Sequence, residues 1–134
     1  MSHRYLLDTN IISDLIRNPQ GRIYQQILNI GEDNICTSII VACELRFGAL
    51  KKASAPLIER VEQIVTNIEV LPLEQPVDHH YGSIRNFLES KGQIIGPNDL
   101  LIAAHAIALD AVLVTANEKE FERVPQLKLQ NWLE

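Results

Sequence analysis

Apolar residues along the chain fall into two rhythms. Short runs rich in β-branched and aliphatic side chains occur at Tyr5-Leu6-Leu7, Ile35-Cys36-Thr37, Glu69-Val70-Leu71-Pro72-Leu73 and Val112-Leu113-Val114-Thr115, with a weaker one at Leu127-Lys128-Leu129. These runs predict strands. Between them the apolar positions recur every three or four residues: Ile23, Ile27 and Ile30; Val41, Leu45 and Gly48; Leu57, Val61, Ile64 and Val65; Val77, Tyr81, Ile84 and Leu88; and Leu100 to Leu109. That spacing puts the apolar side chains on one face of a helix. Ser38 fits an N-cap, Pro56 a first turn, Gly92 a helix end, and Gly96-Pro97 the start of the helix that follows. Strand and helix in alternation imply right-handed crossovers, hence an α/β fold with a mostly parallel sheet of four to five strands flanked by helices. In such sheets ligands bind beyond the carboxyl ends of the strands, here just after Leu7, Thr37 and Thr115.

Six glycines and six prolines fall singly as turn punctuation, and no repeat or linker divides the 134 residues, so a single domain over 1–134 is expected. With 46% hydrophobic and 22% charged residues, the chain can bury a core without disulfides or a structural metal. Cys36 and Cys43 show no zinc spacing and read as small core residues in a reducing cytoplasm. The apolar stretch at the N-terminus is too short for a signal peptide, and no run is long enough to span a membrane. Twelve Lys and Arg against seventeen Asp and Glu give a net charge of -5. A polyanionic partner must therefore meet a local basic patch or a metal ion.

Phosphate-binding loops, dinucleotide fingerprints, nucleophile elbows and HExxH are absent. The chemistry left is that of carboxylates in apolar surroundings. Asp8 follows the first strand, where it also fits an N-cap. Glu44 is the lone acid between Asp33 and Glu59, in a helix apolar on nearly every side and so expected to be mostly buried. Asp99 opens the helix Leu100-Leu101-Ile102-Ala103-Ala104, where a first-turn acid is also favoured by the helix dipole at ~0.3–1 kcal/mol. Charged carboxylates are costly to bury unless a cation compensates them. Oxygen ligands select Mg²⁺ or Mn²⁺, and such an ion in an α/β crevice suits phosphodiester hydrolysis. His79 and His80 point about 100° apart on a helix, and His105 lies in the Ala-rich helix as a hydrogen-bonded core or interface residue, so no histidine is assigned to catalysis. Trp132, Phe121 and Phe87 read as core or interface anchors.

Leu7-Asp8-Thr9-Asn10, Ser38 to Glu44-Leu45, Ile95-Gly96-Pro97-Asn98-Asp99-Leu100-Leu101-Ile102-Ala103-Ala104, and Leu113-Val114-Thr115 leading to Glu120-Phe121 occur in that order. Over essentially its whole length the sequence resembles the PIN-domain ribonucleases, and more narrowly the VapC toxins. The resemblance implies a PIN-like three-layer sandwich and a Mg²⁺- or Mn²⁺-dependent endoribonuclease of a toxin–antitoxin system. It also implies a structured RNA substrate, often tRNA, and inhibition by a VapB-type antitoxin. The family's acidic triad maps onto Asp8, Glu44 and Asp99. At its fourth acidic position this chain has Asn117; either Glu120 supplies the carboxylate, or Asn117 ligates through a water or caps a helix. Thr9, Asn10, Ser38 and Thr115 match polar positions that orient ligands and water. Arg85 matches a basic position of the subfamily. A phosphatase of the haloacid dehalogenase type would need an acid where Asn10 stands. A PIN fold with a depleted site, working as a protein-binding module, is the alternative to an enzyme.

Arg46, Lys51 and Lys52 lie on and just beyond the Glu44 helix, and Arg85 and Lys91 on the helix leading toward Asp99. Two basic groups are thus expected to flank an acidic crevice and hold RNA phosphates. A homodimer is expected, with Ile12, Leu15, Ile16 or Ile27 of the early helices covered by partner chains.

Overall fold

Five strands are laid down in the order in which the apolar runs appear: β1 (Tyr5–Leu7), β2 (Ile35–Ser38), β3 (Glu69–Leu71), β4 (Val112–Val114) and β5 (Lys128–Gln130). In this computed structural model, which describes residues 4–134, they form one sheet of order β3-β2-β1-β4-β5. Every pairing is parallel; Leu6 stands beside Cys36 on one side and Leu113 on the other. The weak run near Leu127 is a true edge strand, displaced by one residue. The run from Glu69 stops at Leu71, because Pro72 has no N–H to give to a ladder. Met1, Ser2 and His3 of the expected 1–134 domain lie outside the described residues.

The helices are α1 (Thr9–Arg17), α2 (Arg22–Ile30), α3 (Ile39–Lys51), α4 (Ala55–Asn67), α5 (Val77–Ser90), α6 (Pro97–Ala108) and α7 (Glu118–Phe121), with a 3₁₀ turn at Glu32–Asn34. Strand β1 passes into α1 through Asp8 alone, and Ser38 caps α3 by accepting from the Ile40 N–H. Ser54 caps α4, with Pro56 in its first turn as expected. Beyond α5, Gly92 takes the left-handed conformation (φ 64°) that closes a helix end cheaply for glycine alone. Leu6, Leu7, Leu113 and Val114 of the central strands have no exposed surface, nor do Ile11, Ile12, Ile102 or Phe121 packed around them. Each such side chain contributes roughly 1.5–3 kcal/mol of burial free energy.

Two expectations about surface are corrected. Ile12 and Ile16 are buried within the chain, and Leu15 and Ile27 are half-buried against the same core, so these four are not an apolar surface for a partner; on α2 Leu28 is exposed, and a larger apolar surface lies elsewhere. That surface is on α3, which was expected to be mostly buried. A helix apolar all round can give only one face to its own sheet: Val41, Ala42, Leu45 and Ala49 face the core, while Ile39, Phe47 and Leu50 face out. Cys43 lies on that outer face and is exposed, whereas Cys36 is buried in β2 as expected. Trp132 and Phe121 are core residues, and Phe87 is exposed at 38%. Among the described residues no helix is long and apolar enough to cross a membrane.

Candidate active site

Asp8 stands where β1 ends, beside β4, whose Val114 carbonyl accepts its N–H at 2.9 Å. The residue is buried, with 3% exposure, and its carboxylate is densely bonded. The Thr115 hydroxyl donates to it at 2.7 Å, the Thr9 N–H at 2.8 Å and the Asn10 amide at 3.2 Å. Burial pushes its carboxyl up, and these donors oppose the shift. It is therefore both the N-cap of α1 and a carboxylate in the crevice; the two sequence readings coincide in one residue.

Glu44 reaches the same crevice from the second turn of α3. The Thr9 hydroxyl donates to one of its oxygens and the Asn98 amide, at 3.4 Å, to the other. Asp99 enters from the first turn of α6, half-buried. Its carboxyl is pushed up to about 7, first by burial, then by a hydrogen bond and charge repulsion from Glu120, and further by Asp8 and Glu44. Glu120, from α7, takes the opposite shift. Burial would raise it, but the Gly96 N–H (2.9 Å) and Asn117 amide (2.9 Å) bond its charged form and hold it low. A Cβ at Gly96 would lie 3.8 Å from both Asp99 Oδ2 and Glu120 Oε1. The interaction between the two acids raises Asp99 and lowers Glu120.

Asn117 thus caps α7 by position and spends its amide on Glu120. The Thr9 and Thr115 hydroxyls and the Asn10 and Asn117 amides all donate to carboxylates. Ser38 does not: its hydroxyl is occupied by the Ile40 N–H and by His105 Nδ1 at 2.8 Å. His105 is buried, its ring also meets the Pro72 carbonyl, and burial pushes its pKa down. It is the core histidine that the sequence predicts. Asn98 and Arg123 were missed. Asn98 adjoins the Asp99 position in the motif, which was a usable signal; Arg123, whose charge acts on Glu120, left none.

The expected basic flanks are only partly free to meet a polyanion. Arg46 is bonded to Glu62, and Arg85 to Glu89 and the Tyr81 hydroxyl. Lys91 lies 5.6 Å from the Phe87 ring centroid, and Lys51 and Lys52 are exposed at the end of α3. A separate cleft of about 700 Å³ lies at the amino ends of the strands, lined by Arg4, Ile35 and Glu69 among others. It is remote from the acids, at the end of a parallel sheet where ligands are not usually bound.

Among the described residues no three His, Cys, Asp or Glu side chains converge into a finished metal cage. The donor chemistry nonetheless fits a hard divalent cation. Asp8, Glu44, Asp99 and Glu120 offer only oxygen, and the burial and charge repulsion that push Asp99 up are what a bound cation would offset.

An all-parallel five-stranded sheet with acids gathered beyond β1 and β4 has clear relatives. The PIN domain model matches residues 5–127. Ribonuclease VapC2 of Rickettsia felis is 41% identical over 130 residues, covering 96% of this chain and 97% of that protein. The tRNA(fMet)-specific endonuclease VapC of Salmonella typhimurium is 37% identical over 133 residues, covering 96% and 98%. The crystal structure of VapBC2 from Rickettsia felis bound to a promoter DNA fragment superposes with a TM-score of 0.84 at 41% identity, covering 96% and 98%. The chain belongs to the PIN-domain family, and within it to the VapC ribonucleases, the toxins of VapBC toxin–antitoxin systems.

Proposed function

We infer that the chain is a Mg²⁺- or Mn²⁺-dependent endoribonuclease that hydrolyses phosphodiester bonds of structured RNA, of the tRNA class, in the cytoplasm. The observation that carries this reading is the meeting of four carboxylates from different segments: Thr9 bonds both Asp8 and Glu44, Asn98 bonds Glu44 beside Asp99, and the Gly96 N–H bonds Glu120. Asp8, Glu44 and Asp99 hold the ion, with Glu120 as the fourth acid. A divalent cation held there would supply polarisation of the phosphate, activation of water and stabilisation of the leaving oxygen. Thr9 keeps Glu44, and Asn10 and Thr115 keep Asp8, aimed into the crevice. Asn117 fixes Glu120 through its amide. The tRNA assignment is supported by the name of the Salmonella relative.

A VapB-type antitoxin restrains the enzyme; the VapBC complexes among the similar structures support this. A homodimer formed across the outer face of α3 is supported by the exposure of Phe47 (66%) and Leu50 (64%). Of the five cations expected at the margins of the crevice, Lys51, Lys52 and Lys91 bind phosphates directly, while Arg46 and Arg85 must first leave Glu62 and Glu89.

The deciding experiment uses protein purified free of antitoxin. RNA is incubated with Mg²⁺, with Mn²⁺ or with EDTA, and the 5′ ends of the products are sequenced. Discrete cuts in tRNA that need the ion are expected. Absence of ion-dependent cleavage across a full RNA panel overturns the reading.

A further inference from the structure

Gly48 stands inside α3, one turn beyond Glu44, with no backbone reason to be glycine: a Cβ there would have nothing within 4 Å. Glycine is among the poorest helix formers, so an interior glycine with open space beside it calls for another reason. The space it leaves is a groove of about 200 Å³ between α1, α3 and α4. Glu44 and Thr9 form its inner end, where it joins the carboxylate crevice; Leu45 and Leu57 belong to its apolar lining. Arg17 and Lys52 line it from α1 and the end of α3, and Ser13 adds a hydroxyl. Arg17 is well exposed, paired only loosely with Asp14 at 3.8 Å.

We propose that this groove seats the nucleoside next to the phosphodiester that is cut, with Arg17 and Lys52 on the flanking phosphate, and that Gly48 is a specificity-determining residue. The proposal rests on the metal-dependent ribonuclease reading above. An RNA held at the carboxylates must continue away from the cut bond, and the groove leaves the crevice at Glu44. Its volume lies below the ~300–1,000 Å³ of pockets for drug-sized ligands, so it takes one flat group. Its apolar lining suits the face of a base and Ser13 its polar edge. Two cations on a chain of net charge -5 match a polyanion. A peptide would need an acidic residue at the same place.

The test compares wild type with Gly48→Ala, Gly48→Leu and Arg17→Ala/Lys52→Ala. The substrate is a short RNA hairpin carrying the mapped cut site, intact or with an abasic nucleotide on either side of the cut. Melting temperature, Mn²⁺ affinity and affinity for antitoxin are read alongside kcat/KM. Gly48→Leu is expected to keep its melting temperature and Mn²⁺ affinity and to lose at least tenfold in kcat/KM, with Gly48→Ala between it and wild type. An abasic nucleotide on one side should cost wild type a similar factor and Gly48→Leu nothing more, because the base is already shut out of the groove. Wild-type cleavage by folded Gly48→Leu overturns the proposal, and if antitoxin affinity alone falls, the groove is a peptide site. Should Gly48→Leu fail to fold, wild-type indifference to both abasic hairpins overturns it. A wild type that cuts no RNA with Mg²⁺ or Mn²⁺ instead sinks the ribonuclease reading on which it rests.

Discussion

Asp99 carries the clearest single-residue consequence. A carboxyl that titrates higher in the folded chain than in the unfolded one holds its proton more tightly when folded. Its contribution to stability is therefore present at low pH and lost as pH rises from the ordinary 3.8 through about 7. Asp8 is shifted the same way by burial, and Glu120 the opposite way. In EDTA the protein should melt higher near about pH 5 than near about pH 8. Mg²⁺ should narrow the difference, as followed by calorimetry. Asp99→Asn removes one of the mutually repelling charges, so it should abolish cleavage while matching or exceeding the wild-type melting temperature in EDTA. Unfolding of this variant would make Asp99 a structural acid. Thr115→Val takes from Asp8 its closest donor, a 2.7 Å bond. Hydrogen bonds to charged groups are worth roughly 1.5–3 kcal/mol, and with two other donors left a loss of about 1–2 kcal/mol is expected in urea denaturation. Asp8, Glu44 and Asp99 were legible in the sequence because each is an acid in apolar surroundings. Arg123 was not, because a lone arginine in a polar segment looks the same whether or not it faces an acid.

At the scale of elements, α3 and α6 are joined where Ser38 meets His105. Ser38→Ala removes a helix cap, worth ~1 kcal/mol, and leaves a buried ring nitrogen without its partner, worth ~1–3 kcal/mol. A loss of about 2–3 kcal/mol is expected by chemical denaturation. It should exceed that of Ser54→Ala, whose hydroxyl caps α4 with no buried histidine behind it. The outer face of α3 predicts something different. Phe47→Lys combined with Leu50→Glu should convert a dimer to a 15.1 kDa monomer in light scattering without lowering the monomer's stability. Unchanged mass on mutation would place the dimer interface elsewhere. The helical period read from Val41, Leu45 and Gly48 located α3 correctly but not its exposed side, since an all-apolar helix carries no polar stripe to mark solvent. Four-residue α7 was invisible as a period for the simpler reason of length.

For the whole molecule, alternation of strands and helices was enough to foresee a parallel sheet, because crossovers of that length permit little else. The number of strands was less legible: β5 is short, with exposed Lys128 and Gln130 flanking Leu129. Net charge makes its own prediction. Removing a cation that binds one phosphate should lower the log–log salt slope of RNA affinity by ~0.7–0.9, measured with Ca²⁺ in place of Mg²⁺. Lys52→Ala should reduce the slope more than Arg46→Ala, whose guanidinium is already engaged by Glu62. Equal slopes for both variants and wild type would put the RNA on another face. The strand order has a further consequence, for synthesis. Central β1 is the first strand to leave the ribosome, but its neighbour β4 is the fourth, and Thr115 and Glu120 follow later still. A chain that stops short of Val112 has Asp8 without the Thr115 hydroxyl and the Gly96 N–H without Glu120. The crevice is therefore assembled from both early and late segments of the chain, and a fragment lacking β4 and α7 should neither bind Mn²⁺ in calorimetry nor cut RNA.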